Sequence, residues 1–400
     1  MRHLLFTSLA ALAIVGPAQA QSVERPEERT TAGWVFTPAF LLGGQWDSNV
    51  TVQSAGNPHF KEWGALVNPF ADVSFNDRRT HMTAGYSGTL EAYRRFGELQ
   101  RFDQRTKFTV EREISRRLTF GSNLSYADVP STDRLEILTG QLAFQDIGSR
   151  LVDTSAHLEI KTTARNRVVA EYKFRDVNFD ARPQQETDSP ILNGGYSHEP
   201  SVTLLQDLTS RLTVGAAWKY SRSRVESGLQ VFEVQSGTGA VAYRLARNTM
   251  LSAGLGASYL REERDAVSKW GPTFYGVVEQ RAGRTDVSVR YERAFLPTYV
   301  VGGLTADQSL QATARTPLGR TRSYVEGSLA YGRTRPVEEL GLGFRLDSVY
   351  TRVAFGYRVA RWLRSEAFYS GMHQTSSLLL DVDRTRIGVQ FITSKPMRIQ

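Results

Sequence analysis

From Trp34 onward apolar and polar positions alternate with a period of two, and no helical period replaces it. The stretch Leu151 to Phe179 shows the unit most plainly. On its first arm Ala156, Leu158 and Ile160 fall on one face, with His157, Glu159 and Lys161 opposite. On its second arm Val168, Ala170, Tyr172 and Phe174 share a face, against Glu171, Lys173 and Arg175. Strand side chains alternate sides, so each arm is a ribbon with one apolar and one charged face. Thr163-Ala164-Arg165 between them is short enough to join antiparallel neighbours. Such a ribbon either packs on a second sheet or turns its apolar face to lipid and closes into a barrel.

The pattern predicts strands near 34–45, 62–77, 80–95, 102–114, 118–129, 151–162, 166–179, 195–207 and 211–225. They continue near 229–245, 249–261, 268–281, 284–296, 302–317, 321–334, 340–359, 363–373 and 382–392. That is about eighteen strands, within a range of 16–18, and single-chain bacterial barrels use even numbers. The connections alternate between tight and variable. Asp77-Arg78-Arg79, Ser115-Arg116-Arg117, Leu208-Thr209-Ser210, Ala246-Arg247-Asn248, Ala282-Gly283, Leu318-Gly319-Arg320 and Ala360-Arg361-Trp362 are tight, as is the break after Thr162. Segments 46–61, 130–150 and 180–194 are long. Short periplasmic turns alternating with longer external loops mark a transmembrane antiparallel up-and-down β-barrel, with both termini periplasmic. A soluble sandwich has no reason to alternate its loop lengths. Leu135 to Gly148 is apolar for a loop and either folds into the lumen or extends the sixth strand. Loop 180–194 is polar, with two prolines, and reads as an exposed cap.

The two faces separate cleanly. Lipid-facing candidates include Met82, Ala84, Tyr86 and Leu90; Leu118, Phe120, Leu124 and Tyr126; Leu212, Val214, Trp218 and Tyr220. Leu251, Leu255 and Tyr259, Val287, Val289 and Tyr291, and Val353, Phe355 and Tyr357 follow. Tyr or Trp often ends the apolar row, as in an interfacial girdle. The last strand carries Ile387, Val389 and Phe391 on one face and resembles the recognition strand read by the outer-membrane assembly machinery, although Ser394 to Gln400 follow it. The opposite faces supply a candidate solute path. It comprises Glu91, Tyr93, Arg95, Arg105, Lys107, Glu111, Glu159, Lys161, Glu171, Lys173, Arg175, Tyr275, Glu279 and Arg281. It continues through Arg290, Glu292, Tyr324, Glu326, Arg352, Arg364, Glu366, Arg384 and Arg386. Closing about eighteen strands leaves an aqueous lumen unless something fills it. Mixed charge along that lumen braces the wall by cross-strand pairs. It also offers cations to an anionic or hydroxyl-rich solute, with Tyr93, Tyr275 and Tyr324 as rings for sugar stacking.

The N-terminus fits this picture. Arg2 and His3 precede an apolar run from Leu4 to Val15, and Ala18-Gln19-Ala20 provides a signal-peptidase site. Residues 1–20 read as a secretory signal cleaved before Gln21, the run being too short to span a bilayer. Residues 21–33 read as a polar periplasmic tail, 34–393 as the barrel and 394–400 as a short C-terminal tail. The mean hydropathy of −0.34 is compatible with a membrane barrel, whose lumen face is polar. The chain has no cysteine, which removes disulfides and thiol chemistry. The formal charge is +8, and loss of Arg2 with the signal lowers it by one. Its Arg and Lys are interspersed with Glu and Asp and form no basic run with aromatics, so nucleic acid is not the implied partner.

Enzymatic signals are weak. His59, His81, His157, His198 and His373 show no metal-ligand spacing, and His157 beside Ser155 lacks a third partner. No phosphate loop or dinucleotide fingerprint is present, so no catalytic residue, metal or cofactor is implied.

The first strand and its exit read Gly33-Trp34-Val35-Phe36-Thr37-Pro38, then Gly43-Gly44-Gln45-Trp46-Asp47-Ser48-Asn49-Val50. An aromatic-Asp-Ser-Asn-Val segment closing an N-terminal strand after a signal peptide resembles the porin-like outer-membrane β-barrel family associated with exopolysaccharide biosynthesis and export gene clusters. The resemblance covers the mature chain in architecture, and its sharp motif is Trp46 to Val50. It implies a Gram-negative outer-membrane channel for a secreted polysaccharide, with periplasmic export components as partners. Read from the residues alone, Asp47, Ser48 and Asn49 are turn formers that end a strand. A general diffusion porin for small solutes, or a structural or assembly barrel with partner-binding loops, uses the same lumen.

Overall fold

The computed structural model describes residues 32–399 except 53–58, 96–101, 130–147, 180–193, 226–229, 264–267, 298, 300–302, 320–321, 342–344 and 378–380. The expected signal peptide, most of the N-terminal tail and the bodies of loops 130–150 and 180–194 lie outside the described residues. Successive strands pair in chain order: β1 (Gly33–Asp47), β2 (Glu62–Asn76), β3 (Thr80–Tyr93), β4 (Phe102–Ser115), β5 (Leu118–Val129) and β6 (Ser149–Lys161). Then come β7 (Asn166–Phe179), β8 (Gly195–Asp207), β9 (Leu212–Val225), β10 (Gln230–Ala246), β11 (Thr249–Glu262) and β12 (Ser268–Ala282). β13 (Thr285–Pro297), β14 (Gly303–Leu318), β15 (Ser323–Gly341), β16 (Leu346–Ala360), β17 (Leu363–Ser376) and β18 (Val382–Ser394) complete the series. Every pairing is antiparallel, and β18 returns to β1, from Ala39 opposite Ser394 to Asp47 opposite Arg386. The result is a closed, all-β, eighteen-stranded barrel without a free sheet edge.

Closure runs further than the sequence pattern predicts. After Lys395 and Pro396 the chain rejoins the sheet as β19 (Met397–Ile399), with Met397 opposite Phe36 and Ile399 opposite Trp34. The segment expected as a tail therefore continues the β18 line to the start of β1. A second difference concerns β15, which runs to Gly341, past the predicted end near 334. Pro336 reads as a strand breaker, but here it lies opposite Thr305 where the pairing with β14 becomes irregular, a place that tolerates a residue with no N–H.

The tight connections gather at one end of the barrel, and side chains set their geometry. Asp77 accepts the Arg79 amide at 2.6 Å and the Thr80 amide at 2.5 Å, and these bonds hold its carboxyl below the usual carboxylate range. Thr163 Oγ1 accepts the amides of Arg165 and Asn166, and Thr209 Oγ1 does the same for Arg211 and Leu212. Polar residues thus supply acceptors that the ladder cannot.

The apolar faces point out. Leu255, Trp270 and Trp63 are 70%, 70% and 67% exposed. Phe120, Leu124, Trp218, Val353, Phe355, Ile387, Val389 and Phe391 are exposed on the same side of the wall. Aromatics mark both rims: Trp34 packs on Phe75 at 4.8 Å at the tight-turn end, and Tyr259 on Trp270 at 5.2 Å at the other. An apolar surface that girdles a closed sheet suits hydrocarbon, where water would penalise it.

Candidate functional site

The inward faces carry the chemistry, and they organise into clusters along the wall. The first sits on the seam. Asp47 ends β1 with its carboxylate turned inward, fully buried. Arg384 of β18 grips it with both prongs, Nε to Oδ1 at 3.1 Å and Nη2 to Oδ2 at 2.6 Å. Arg386 Nε adds a contact at 3.2 Å and its Nη2 lies 3.9 Å from Glu91. The Tyr93 hydroxyl stands 3.1 Å from Asp47 Oδ2 and 3.2 Å from Glu91 Oε2, and accepts Gln45 Nε2 at 3.3 Å. Two carboxylates and two guanidiniums thereby share one desolvated site, the condition under which buried charge is tolerated.

The residues after Asp47 extend the seam. The Ser48 amide donates to Thr385 O at 2.9 Å, and the Thr385 amide donates back to Ser48 Oγ at 2.7 Å. The Asn49 amide donates to Asp47 Oδ1, and Asn49 Nδ2 donates to Asp383 O, both at 3.0 Å. The Trp46 to Val50 motif thus continues strand-like pairing with β18 beyond the end of β1.

Tyr93 reaches the seam from β3 by lying across β2. The residue beneath it is Gly64, opposite both Gln45 and Tyr93. A Cβ there would stand 2.7 Å from Tyr93 Cε1, so a side chain at 64 and the tyrosine in this pose exclude each other. Tyr324 repeats the device. It crosses Gly356 of β16 and donates to Glu366 Oε2 of β17 at 2.8 Å. Arg315 sits 4.3 Å above its ring and Arg364 5.7 Å from it. Glu366 also accepts Gln390 Nε2 at 2.7 Å and binds Arg352, which lies 4.0 Å from Glu326. Tyr93 and Tyr324 are 3% and 7% exposed. Their faces are therefore spent on neighbouring strands and are not free for sugar stacking, against the expectation from sequence. Tyr275 packs over Gly254 in the same way.

The remaining wall is laced laterally. Arg175 binds Asp153 of the adjacent β6 at 2.6 Å, and Lys219 binds Glu199 of the adjacent β8 at 3.3 Å. Lys173 pairs with Glu171 at 3.4 Å, Lys161 with Glu159 at 3.9 Å, Arg290 with Glu292 at 3.0 Å and Arg105 with Asp103 at 3.3 Å. These pairs join residues of one strand or of neighbouring strands. Glu111 follows Arg105 and Lys107 along the inner face of β4, and Lys107 is exposed there, so this sector of the interior is wet. Three candidates fall elsewhere. Arg95 lies past the end of β3, exposed, with its amide 3.2 Å from a Glu62 carboxylate oxygen. Glu279 and Arg281 lie exposed at the tight-turn rim, where Arg281 meets Asp286 at 2.6 Å. Alternation places a residue on a face but not at a height in the pore.

Inward apolar packing escapes sequence reasoning, with a smaller cluster of Leu41, Leu66 and Ile392 on the seam strands and a larger one at the loop end. At the loop end Val177, Val225, Phe232, Val234 and Leu260 point inward and pack with Phe295, Leu304 and Val337. Tyr299, in the connection between β13 and β14, is 7% exposed and belongs to this cluster. Its ring lies against Gly195 of β8, five strands from β13. Tyr299 therefore reaches over the mouth and covers one side of it. Apolar residues at the loop ends of inward faces, such as Val225 and Phe232, were the available signal.

No family model matches the chain, and no curated protein matches it. Among solved structures it is similar to Acinetobacter baumannii OccAB4 at 7% identity, covering 92% of this chain and 99% of that one, with a TM-score of 0.46. It is similar to the outer membrane protein OpdK of Pseudomonas aeruginosa at 13% identity, over 90% and 99% of the two chains, with a TM-score of 0.44. The copper transporter OprC aligns at 10% identity, over 91% and 81%, with a TM-score of 0.47. Identities this low transfer no residue role.

Proposed function

We propose that this chain is an outer-membrane channel for small hydrophilic solutes. The carrying observation is the combination of an apolar outer belt with an inner wall most of whose ion pairs join residues of one strand or of neighbouring strands. Pairs that bridge neighbouring strands stiffen the wall and leave the axis to water, whereas a structural barrel with a filled core needs pairs that meet across the middle. A closed barrel of this kind in a bacterial envelope belongs to the outer membrane, with the tight-turn end in the periplasm and the variable loops outside.

Polysaccharide export is the weaker fit. The motif that carries the resemblance to exopolysaccharide-cluster barrels, Trp46 to Val50, is accounted for by seam closure and needs no sugar. The apolar cluster around Tyr299 also narrows the loop-end mouth, which suits a small solute better than a polymer. Reconstitution in planar bilayers tests the proposal, together with swelling of liposomes in sugars of increasing size. Discrete conductance and a size cut-off in the small-sugar range are expected. A barrel that is folded yet silent at all voltages, with no swelling, would overturn it.

A further inference from the structure

The eight tight connections share a feature that turn geometry does not require. Taken from the end of one observed strand to the start of the next, each holds at least one arginine, and the ten described ones are all exposed. Arg78 and Arg79 stand between β2 and β3, and Arg116 and Arg117 between β4 and β5. The other six connections carry one described arginine each, among them Arg211 and Arg361. The only carboxylate in these connections is Asp77, whose oxygen is already taken by two turn amides. Turns favour Gly, Asn, Asp and Ser for conformational reasons, and arginine has none of these. By sequence, the two longest connections at the opposite end, 130–148 and 180–194, hold six carboxylates and two arginines. The inner wall is charge-paired, so the cation surplus of the chain collects on one rim.

What lies next to these arginines identifies the ligand. Ile114, Leu208, Leu245 and Trp362 are 51%, 45%, 56% and 56% exposed, and each stands within three residues of a turn arginine. The apolar belt therefore runs to the turns without a polar spacer, and the guanidiniums begin where hydrocarbon ends. That is the depth of phosphate headgroups. The arginines also occupy every hairpin around the perimeter. A soluble partner docks on one side, whereas a lipid leaflet meets the whole ring. Guanidinium binds phosphate oxygens in pairs and keeps its charge at any physiological pH. We propose that the tight-turn rim is a binding ring for anionic phospholipid headgroups of the leaflet it crosses. The inference rests on the membrane reading above and adds the lipid class.

The test uses the full chain in nanodiscs and lipid retention by native mass spectrometry, with phosphatidylglycerol and phosphatidylcholine as probes. The wild type should retain phosphatidylglycerol about tenfold better, a preference that shrinks as salt is raised. R116Q/R117Q/R361Q should lose most of that preference, and R94Q/R95Q/R345Q at the loop end should keep it. Equal retention of both lipids by the wild type would overturn the proposal, as would equal losses in the two variants. If the tight-turn variant kept its lipid preference but shifted the reversal potential, the ring would act on solutes at the pore mouth instead. Failure to enter any bilayer, phosphatidylcholine included, would reject the membrane reading itself.

Discussion

Asp47 and Arg384 stand 337 residues apart in the chain, and their side chains meet at 2.6 Å. The contact joins the end of the first strand to the last full one, so it can form only when the ring closes. Its carboxylate is fully buried and its guanidinium side chain is 6% exposed.

Breaking this pair leaves a charge stranded in a dry site. D47N should lower the stability of the folded barrel by about 3–5 kcal/mol, the range for removing one partner of a buried pair. Thermal unfolding in detergent reads this directly. A D47N barrel that melts with the wild type would show that the seam does not depend on the latch.

The tyrosine bridges predict coupled substitutions. G356A places a methyl about where the Tyr324 ring lies, and the clash should destabilise the barrel. Adding Y324A should recover part of the loss, because the cavity it opens accepts the methyl. A coupling of about 0.5–3 kcal/mol is expected for residues in contact. Strict additivity of the two changes in denaturant melts would refute the bridge.

Tyr299 should limit the opening. Y299A removes a buried aromatic, so local stability falls by about 3–5 kcal/mol while the strand ladder holds the barrel together. Single-channel conductance should rise in Y299A compared with the wild type. Unchanged conductance with a lost cluster would place the constriction elsewhere.

Charge pairing along the wall predicts weak ion selectivity. Arg105, Lys173, Arg175, Lys219, Arg290 and Arg352 each face a carboxylate, which cancels most of the field along the pore. The reversal potential in a salt gradient should lie near zero. K107E, at an exposed inward position, should move it toward cation preference. A strongly anion-selective wild type would contradict the paired wall.

The amino-acid sequence by itself determined the barrel. Period-two alternation assigns each residue a face, as at Ala156 and His157, because neighbouring strand side chains leave on opposite sides whatever the rest of the chain does. The spacing of tight turns determined strand number and which ends lie together. What only the tertiary structure decided is contact between strands distant in the chain. Asp47 finds Arg384, Tyr299 finds Gly195, and Tyr93 crosses Gly64, because closing the ring fixes the stagger of every strand. That stagger sets the height at which each inward side chain stands, and no local pattern encodes it.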